Sequence, residues 1–286
     1  MKIAIASGKG GTGKTTLAVN LALRAAENRE VSLVDLDVEE PNSGIFIHGK
    51  LENEQRIFRS VPKWDREACT LCGKCVELCQ YNAIIRLGKE IMVMPQLCHS
   101  CYACSELCPT DALPMRESPL GTLRHKRIGR LDFIESKLDI GMEMASPMIG
   151  KTLEYMSEHC SGNDYQFRDC PPGTACPVIS ATKDADFIIL VTEPTPFGLY
   201  DLELAAETMR HLGKPMSVVV NRYGIGNDEV FHYCKEQDIP VWAKIPNQRE
   251  MAELYSRGEL IYPKVEEFRR ELDAILGKLD SLGRNR

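Results

Sequence analysis

No stretch of this sequence approaches the roughly 20 consecutive apolar residues that a membrane-spanning helix requires. Nor does its start carry the charged-then-apolar pattern of a signal peptide. Met1-Lys2 leads directly into Ile3-Ala4-Ile5-Ala6, an apolar run of strand length. Excess positive charge is missing too: 35 Lys and Arg stand against 41 Asp and Glu, a net charge of -6. That balance argues against an extended nucleic-acid-binding surface. The expectation is a cytoplasmic protein with neither membrane nor nucleic acid as its partner. Its 286 residues, 43% hydrophobic and 27% charged, suit one large α/β domain plus a small insert.

Cysteine, by contrast, is abundant: there are 12, eight of them between Cys69 and Cys108. Without an export signal, such density points to metal binding rather than disulfides. Cys69, Cys72, Cys75 and Cys79 follow C-x2-C-x2-C-x3-C, and Cys98, Cys101, Cys104 and Cys108 repeat it. Zinc sites use two separated pairs; runs of four at this spacing are those of bacterial two-cluster ferredoxins. Three cysteines on a tight loop cap one [4Fe-4S] cubane, and the fourth reaches the other. The expected ligand sets are Cys69, Cys72, Cys75 and Cys108 for one cluster, and Cys98, Cys101, Cys104 and Cys79 for its companion. Pro109 follows the second copy, whereas Gln80 stands at that place in the first. Ile84, Ile85, Ile91 and Val93 are the expected core around the clusters, and His99 an exposed loop residue.

Outside this stretch the pattern is one of alternating strands and helices. Apolar runs occur at residues 3–6, 31–35, 188–191, 218–220 and 241–242, separated by segments with helical spacing such as Leu17, Leu21 and Ala25. Such alternation predicts a doubly wound, mainly parallel sheet with helices on both faces. Residues 60–116 break the rhythm and contain the only internal repeat, so they read as an inserted ferredoxin-like α+β domain. Residues 1–59 and 117–286 form the discontinuous main domain, with short strands expected within 120–144.

Gly8-Lys9-Gly10-Gly11-Thr12-Gly13-Lys14-Thr15 satisfies G-x-x-x-x-G-K-[ST] between a predicted strand and a predicted helix. Backbone N–H groups of such a loop, with the helix N-terminus, cradle phosphates. Lys14 reaches the β- and γ-phosphates, and Thr15 supplies a hydroxyl to Mg²⁺. Gly8, Gly10, Gly11, Thr12, Gly13, Lys14, Thr15 and Thr16 are thus candidate nucleotide contacts.

With its additional Lys9, this loop resembles the deviant Walker A form of MinD/ParA-type ATPases, relatives of the nitrogenase iron protein. The resemblance covers residues 1–48 and about 120–262. It implies that Lys9 crosses a dimer interface to the partner's nucleotide. Asp35-Leu36-Asp37 resembles switch I, implying that Asp37 orients the attacking water. Asp169-Cys170-Pro171-Pro172-Gly173 resembles switch II, implying that Asp169 holds Mg²⁺ through water. Asn221, Pro246 and Asn247 fall where the family contacts adenine, and Cys176 where the nitrogenase iron protein has a cluster ligand. No second such ligand is found, since residues 141–150 contain no cysteine.

Together these readings predict a dimeric ATPase, with itself or a paralogue, that binds ATP or ADP, Mg²⁺ and two [4Fe-4S] clusters. It would couple ATP to electron transfer with a redox or metallocluster partner protein. An ATP-dependent cluster assembly or carrier factor is the second reading, and a MinD/ParA-like spatial organiser with redox-sensing clusters the third. The amphipathic stretch Val265–Leu279 has mixed charge on its polar face, which favours packing on its own domain over membrane binding. Arg124, Lys126, Arg127 and Arg130 form a short basic cluster expected to be a solvated hairpin.

Overall fold

The computed structural model describes residues 1–284. β1 (Lys2–Ala6) feeds the glycine loop and α1 (Lys14–Ala26), and the chain returns as β2 (Val31–Asp35). A short 3-10 turn, Ser43–Ile45, leads into β3 (Lys50–Pro62). Next come α2 (Lys74–Leu78), the hairpin of β4 (Ile84–Leu87) and β5 (Glu90–Val93), and α3 (Ala103–Glu106). β6 (Met115–Ile128) and β7 (Leu131–Leu138) bring the chain back to α4 (Ala145–His159) and β8 (Tyr165–Asp169). Alternation then resumes through α5 (Cys176–Thr182), β9 (Phe187–Thr192), α6 (Pro196–His211), β10 (Met216–Tyr223), α7 (Glu229–Glu236) and β11 (Val241–Pro246). α8 (Arg249–Ser256) and α9 (Glu266–Arg284) complete it.

One sheet has the order β11-β10-β9-β1-β8-β2-β7-β6-β3, and β11 through β7 run parallel. The central strands β2, β8 and β9 are buried along their whole length because both faces of the sheet are covered. Ile3 and Ile5 point to the side of α1, α8 and α9, while Ala4 and Ala6 point to the side of α4, α5 and α6. This is the doubly wound architecture that the alternation predicts.

The far side of the sheet departs from expectation. Residues 120–144 are not short strands. They include most of a 14-residue strand, β6, and an 8-residue strand, β7, paired antiparallel. β6 also pairs antiparallel with the 13-residue β3, from Lys50 opposite Arg127 to Pro62 opposite Met115. β3 escapes a pattern-based reading because Leu51 and Phe58 are exposed, and only Ile57, Arg59, Val61 and Pro62 are buried. Cross-strand polar pairs hold its outer half instead: Arg124 Nε donates to Glu54 at 2.7 Å, and Arg56 Nη1 to Thr122 at 2.9 Å. The arm thus formed carries residues 63–114 away from the parallel strands.

α9 lays Phe268, Leu272, Ile275, Leu276 and Leu279 onto the sheet face that α1 covers. Its apolar stripe is therefore spent inside the domain. No helix among the described residues is long and apolar enough to cross a membrane. Because Phe268 is fully buried, Phe268→Ala should cost about 3–5 kcal/mol. Chemical denaturation measures this, and a loss below about 1 kcal/mol would show α9 to be peripheral.

Candidate functional site

β1 ends at a loop that must turn sharply into α1, and Gly13 caps that helix at φ 95°. A Cβ at Gly13 would lie 2.2 Å from Nδ2 of Asn221, and one at Gly8 would lie 2.1 Å from the carbonyl oxygen of Asp201. Lys14 is buried against the loop, its Nζ donating to Ser7 Oγ at 2.9 Å and to the Lys9 carbonyl at 3.4 Å. Burial lowers its pKa, and the charges of Asp169, Cys170 and Asp37 oppose that effect. A polyphosphate would complete the neutralisation of this ammonium.

Gly10, Gly11, Gly13, Lys14, Thr15 and Thr16 line one open cavity, shared with Asp37, Pro172, Asn221, Pro246 and Asn247. Gly8, Lys9, Thr12 and Asp169 lie outside that lining. Thr12 is buried and its carbonyl accepts from Asn221 Nδ2 at 2.8 Å, so Asn221 braces the loop as well as facing the cavity. At the other end, Met251 and Tyr255 of α8, with Ile261, form an apolar wall, and Phe46 packs on the Tyr255 ring at 5.0 Å. A planar base suits such a wall. Sequence reading missed this wall, since helical spacing alone does not say which helix faces a ligand.

Behind the loop lie two buried carboxylates. Asp35 accepts from the backbone N–H groups of Asp37 at 3.0 Å, Asn42 at 3.0 Å and Ser43 at 2.9 Å. Burial and the neighbouring charge of Asp169 push its pKa up, while the hydrogen bonds from Ser43 and Asp37 resist. Asp169 accepts from Ser43 Oγ at 3.1 Å through Oδ2, and its buried Oδ1 has no partner. Burial raises its pKa as well, opposed by Thr15, Lys14 and Ser43. An orphaned carboxylate oxygen beside a threonine hydroxyl and a phosphate loop fits a hydrated Mg²⁺. Asp37 is half-buried and faces the cavity; burial raises its pKa and the Lys14 charge opposes the rise. Sequence reading singled out Asp37 and Asp169 but gave Asp35 no task.

Lys9 turns away from its own cavity. Its Nζ lies 3.9 Å from Glu193 and 3.8 Å from Asp201, and Arg222 pairs with the same Glu193 at 2.8 Å. Next to this clamp, α6 exposes Phe197 and Tyr200.

The eight clustered cysteines gather around two small cavities, four to each. Cys69, Cys72, Cys75 and Cys108 line one, and Cys79, Cys98, Cys101 and Cys104 line the other. Left-handed residues recur at matching places in the two copies: Leu71 and Ser100, Gly73 and Tyr102, Asn82 and Asp111. These bends turn backbone N–H groups onto sulfur. Leu71 N donates to Cys69 Sγ at 3.4 Å and Ser100 N to Cys98 Sγ at 3.4 Å. Ala83 N donates to Cys79 Sγ and Ala112 N to Cys108 Sγ, each at 3.2 Å. Donors aimed at thiolate sulfur favour the ligating form of cysteine. Trp64 lines the first cavity, and its buried Nε1 has no partner. Four cysteines around each cavity, with backbone N–H groups donating to their sulfurs, fit two sulfide-containing clusters. Cys72 and Cys101 are exposed, so each cavity has one open side rather than full enclosure. Ile84, Ile91 and Val93 pack with Leu113 between the cavities; Ile85, on the other face of β4, is not among them.

The remaining candidates are not drawn into either site. Cys160, Cys170 and Cys234 are buried thiols whose pKa values burial pushes up to about 12, 12 and 11. Cys176 is exposed at the start of α5. His125, Asp132 and Cys160 lie within 4.8 Å of one another, but Tyr155 and Asp132 engage both His125 nitrogens, and Arg127 and Asn163 donate to Asp132. That is a satisfied hydrogen-bond network. In the basic cluster, Arg124, Lys126 and Arg127 pair with Glu54, Glu135 and Asp132 respectively. His99 stacks on Tyr81 at 3.7 Å.

A model of the CobQ/CobB/MinD/ParA nucleotide binding domain matches residues 3–261. An uncharacterized protein of Methanocaldococcus jannaschii is 30% identical over 265 residues, covering 91% of this chain and 90% of its own length. An iron-sulfur cluster carrier protein of Aquifex aeolicus is 26% identical over 277 residues, 91% of this chain and 61% of that protein. An uncharacterized ferredoxin of M. jannaschii is 36% identical over 53 residues, 17% of this chain and 69% of the ferredoxin. Among solved structures, the septum site-determining protein MinD of Pyrococcus horikoshii, complexed with Mg-ADP, superposes with a TM-score of 0.60. It is 19% identical, with 99% of this chain and 96% of that chain covered, a likeness of fold.

Because Gly13 has no room for a Cβ and holds a left-handed φ, Gly13→Ala should weaken nucleotide binding at least about tenfold. Calorimetric titration with ATP and Mg²⁺ measures it, and unchanged affinity would show the loop to be less constrained than its geometry.

Proposed function

The chain belongs to the CobQ/CobB/MinD/ParA nucleotide-binding family, and from that premise we propose an ATP-hydrolysing iron-sulfur protein. In this reading a nucleotide-dependent dimer couples ATP to electron transfer through two [4Fe-4S] clusters. One observation carries it: two cavities of four cysteines each stand on an arm that begins just beyond the loop closing over the phosphate cavity. We assign residues 60–116 to the inserted redox module, and residues 1–59 and 117–286 to the ATPase.

ATP hydrolysis by this site requires neutralised phosphate oxygens and a water placed in line. Lys14 and the N–H groups of the loop bind the β- and γ-phosphates. Thr15 and, through water, Asp169 hold Mg²⁺, which supplies charge neutralisation when bound. Asp37 orients the water whose oxygen forms the new bond to the γ-phosphorus as the bond to the β-γ bridging oxygen breaks. Lys9, once freed from Glu193 and Asp201, reaches the nucleotide of a second protomer, this chain or a paralogue. Bound clusters supply one-electron chemistry to a redox partner, held by the two ligand sets.

A second reading, ATP-dependent handling of iron-sulfur clusters, is favoured by the similarity to the Aquifex carrier protein and by the exposed Cys176 close to switch II. The spatial-organiser reading draws no support, since the apolar stripe of α9 is buried and most of the basic cluster is paired.

Lys14→Ala should weaken ATP binding about 100-fold while leaving about eight irons per chain after anaerobic purification. Loss of iron in this variant would show that the two modules do not stand apart. Asp37→Ala should keep ATP binding and slow phosphate release at least about 100-fold, with the ATP-bound dimer accumulating on a sizing column. Hydrolysis at the wild-type rate would remove Asp37 from its assigned task.

A further inference from the structure

The two cysteine cavities differ in the charge placed against them. Arg59, on β3, is 6% exposed. Its Nη1 donates to the Cys98 carbonyl at 2.8 Å and its Nη2 to the Pro95 carbonyl at 2.7 Å, with Met142 Sδ 3.8 Å away. Its Nε is buried with no partner. Among the described residues, these partners are two carbonyls and a thioether, none of them an anion. A guanidinium stays protonated, and a buried charge without a counter-charge is strongly destabilising. Arg59 therefore calls for an anion, and it grips the loop of Cys98, one of four cysteines around the second cavity.

Among the described residues no buried cation flanks the first cavity; Lys74 lines it but is exposed. Trp64 offers it a neutral N–H. Arg86 donates to the Leu71 carbonyl at 2.9 Å, but it is exposed, where water and salt screen its charge. The second cavity is also the one at the root of the arm, since Pro62 and Met115, the last pair of the β3–β6 ladder, help to line it.

We propose that Arg59 sets the order of reduction, making the site of Cys79, Cys98, Cys101 and Cys104 the electron-collecting one of the pair. This rests on the cluster assignment made above. The physical cause is charge. Gaining one electron without a proton adds one negative charge to the site, and a buried cation stabilises that state more than an exposed cation or an indole does. A low-potential one-electron donor supplies that electron, and it comes to rest beside β3, the strand that follows the switch I turn.

The test is a redox titration of the full chain, reconstituted with iron and sulfide and followed by electron paramagnetic resonance, with dithionite as reductant. In Cys72→Ser the retained second-cavity cluster should reduce at a higher potential than the first-cavity cluster retained in Cys101→Ser. Arg59→Gln in the Cys72→Ser background should lower the reduced-to-oxidised ratio at least about tenfold at the potential that half-reduces its parent. Arg59→Lys should restore most of it. The same Gln change in the Cys101→Ser background should leave the ratio unaltered. Fewer than about eight irons in the wild type would overturn the cluster assignment and this inference with it. A full iron count with equal or reversed potentials in the two single-cluster variants would overturn this inference alone, whether or not Arg59→Gln folds.

Discussion

A buried carboxylate organises much of this molecule. Asp35 sits at the end of β2 with no solvent exposure and accepts three backbone N–H groups from the chain that follows it. Burial of a charge is costly, and three donors to one carboxylate offset much of that cost. The consequence is geometric. Residues 37–43 are folded back over the end of the sheet, which puts Asp37 at the cavity and Ser43 against Asp169. The segments of Asp37 and Asp169 are thereby tied to one residue that lies outside the cavity lining.

From that tether the chain has a single way on, through the turn at Ser43–Ile45 into β3 and out along the arm. β6 and β7 bring it back beside β2, so both ends of residues 63–114 are anchored in the same sheet as the phosphate loop. A rigid ladder transmits displacement better than a flexible linker. The two halves of the molecule also present backbone N–H groups by related means. The phosphate loop offers backbone N–H groups at a helix N-terminus, and each cysteine loop offers N–H groups bent onto sulfur by left-handed residues.

Charge distribution separates roles that sequence similarity blurs. Two lysines of one glycine loop have opposite fates: Lys14 is buried against the loop, whereas Lys9 is drawn outward by Glu193 and Asp201. Two copies of one cysteine motif likewise receive different neighbours, an indole in one case and a buried guanidinium in the other. Repetition made the cavities alike in shape, and the surrounding scaffold made them unlike in charge.

What could be read directly from the sequence was whatever chemistry lies along a short stretch of chain. The glycine loop, the two cysteine runs and the alternation of apolar strands with helices each fall within a few residues of one another. Their spacing therefore carries their geometry, and the doubly wound sheet follows from the alternation. Other features needed the folded chain. The length of β3 and β6 was hidden because cross-strand polar pairs, not an apolar face, hold much of the ladder. Glu193, Asp201, Met251, Tyr255 and Arg59 sit in no recognisable motif. Each acts on a partner brought close by the sheet, at a separation that no local pattern encodes. Burial is what gives those contacts their strength, and burial is a property of the packed structure rather than of any residue's place in the sequence.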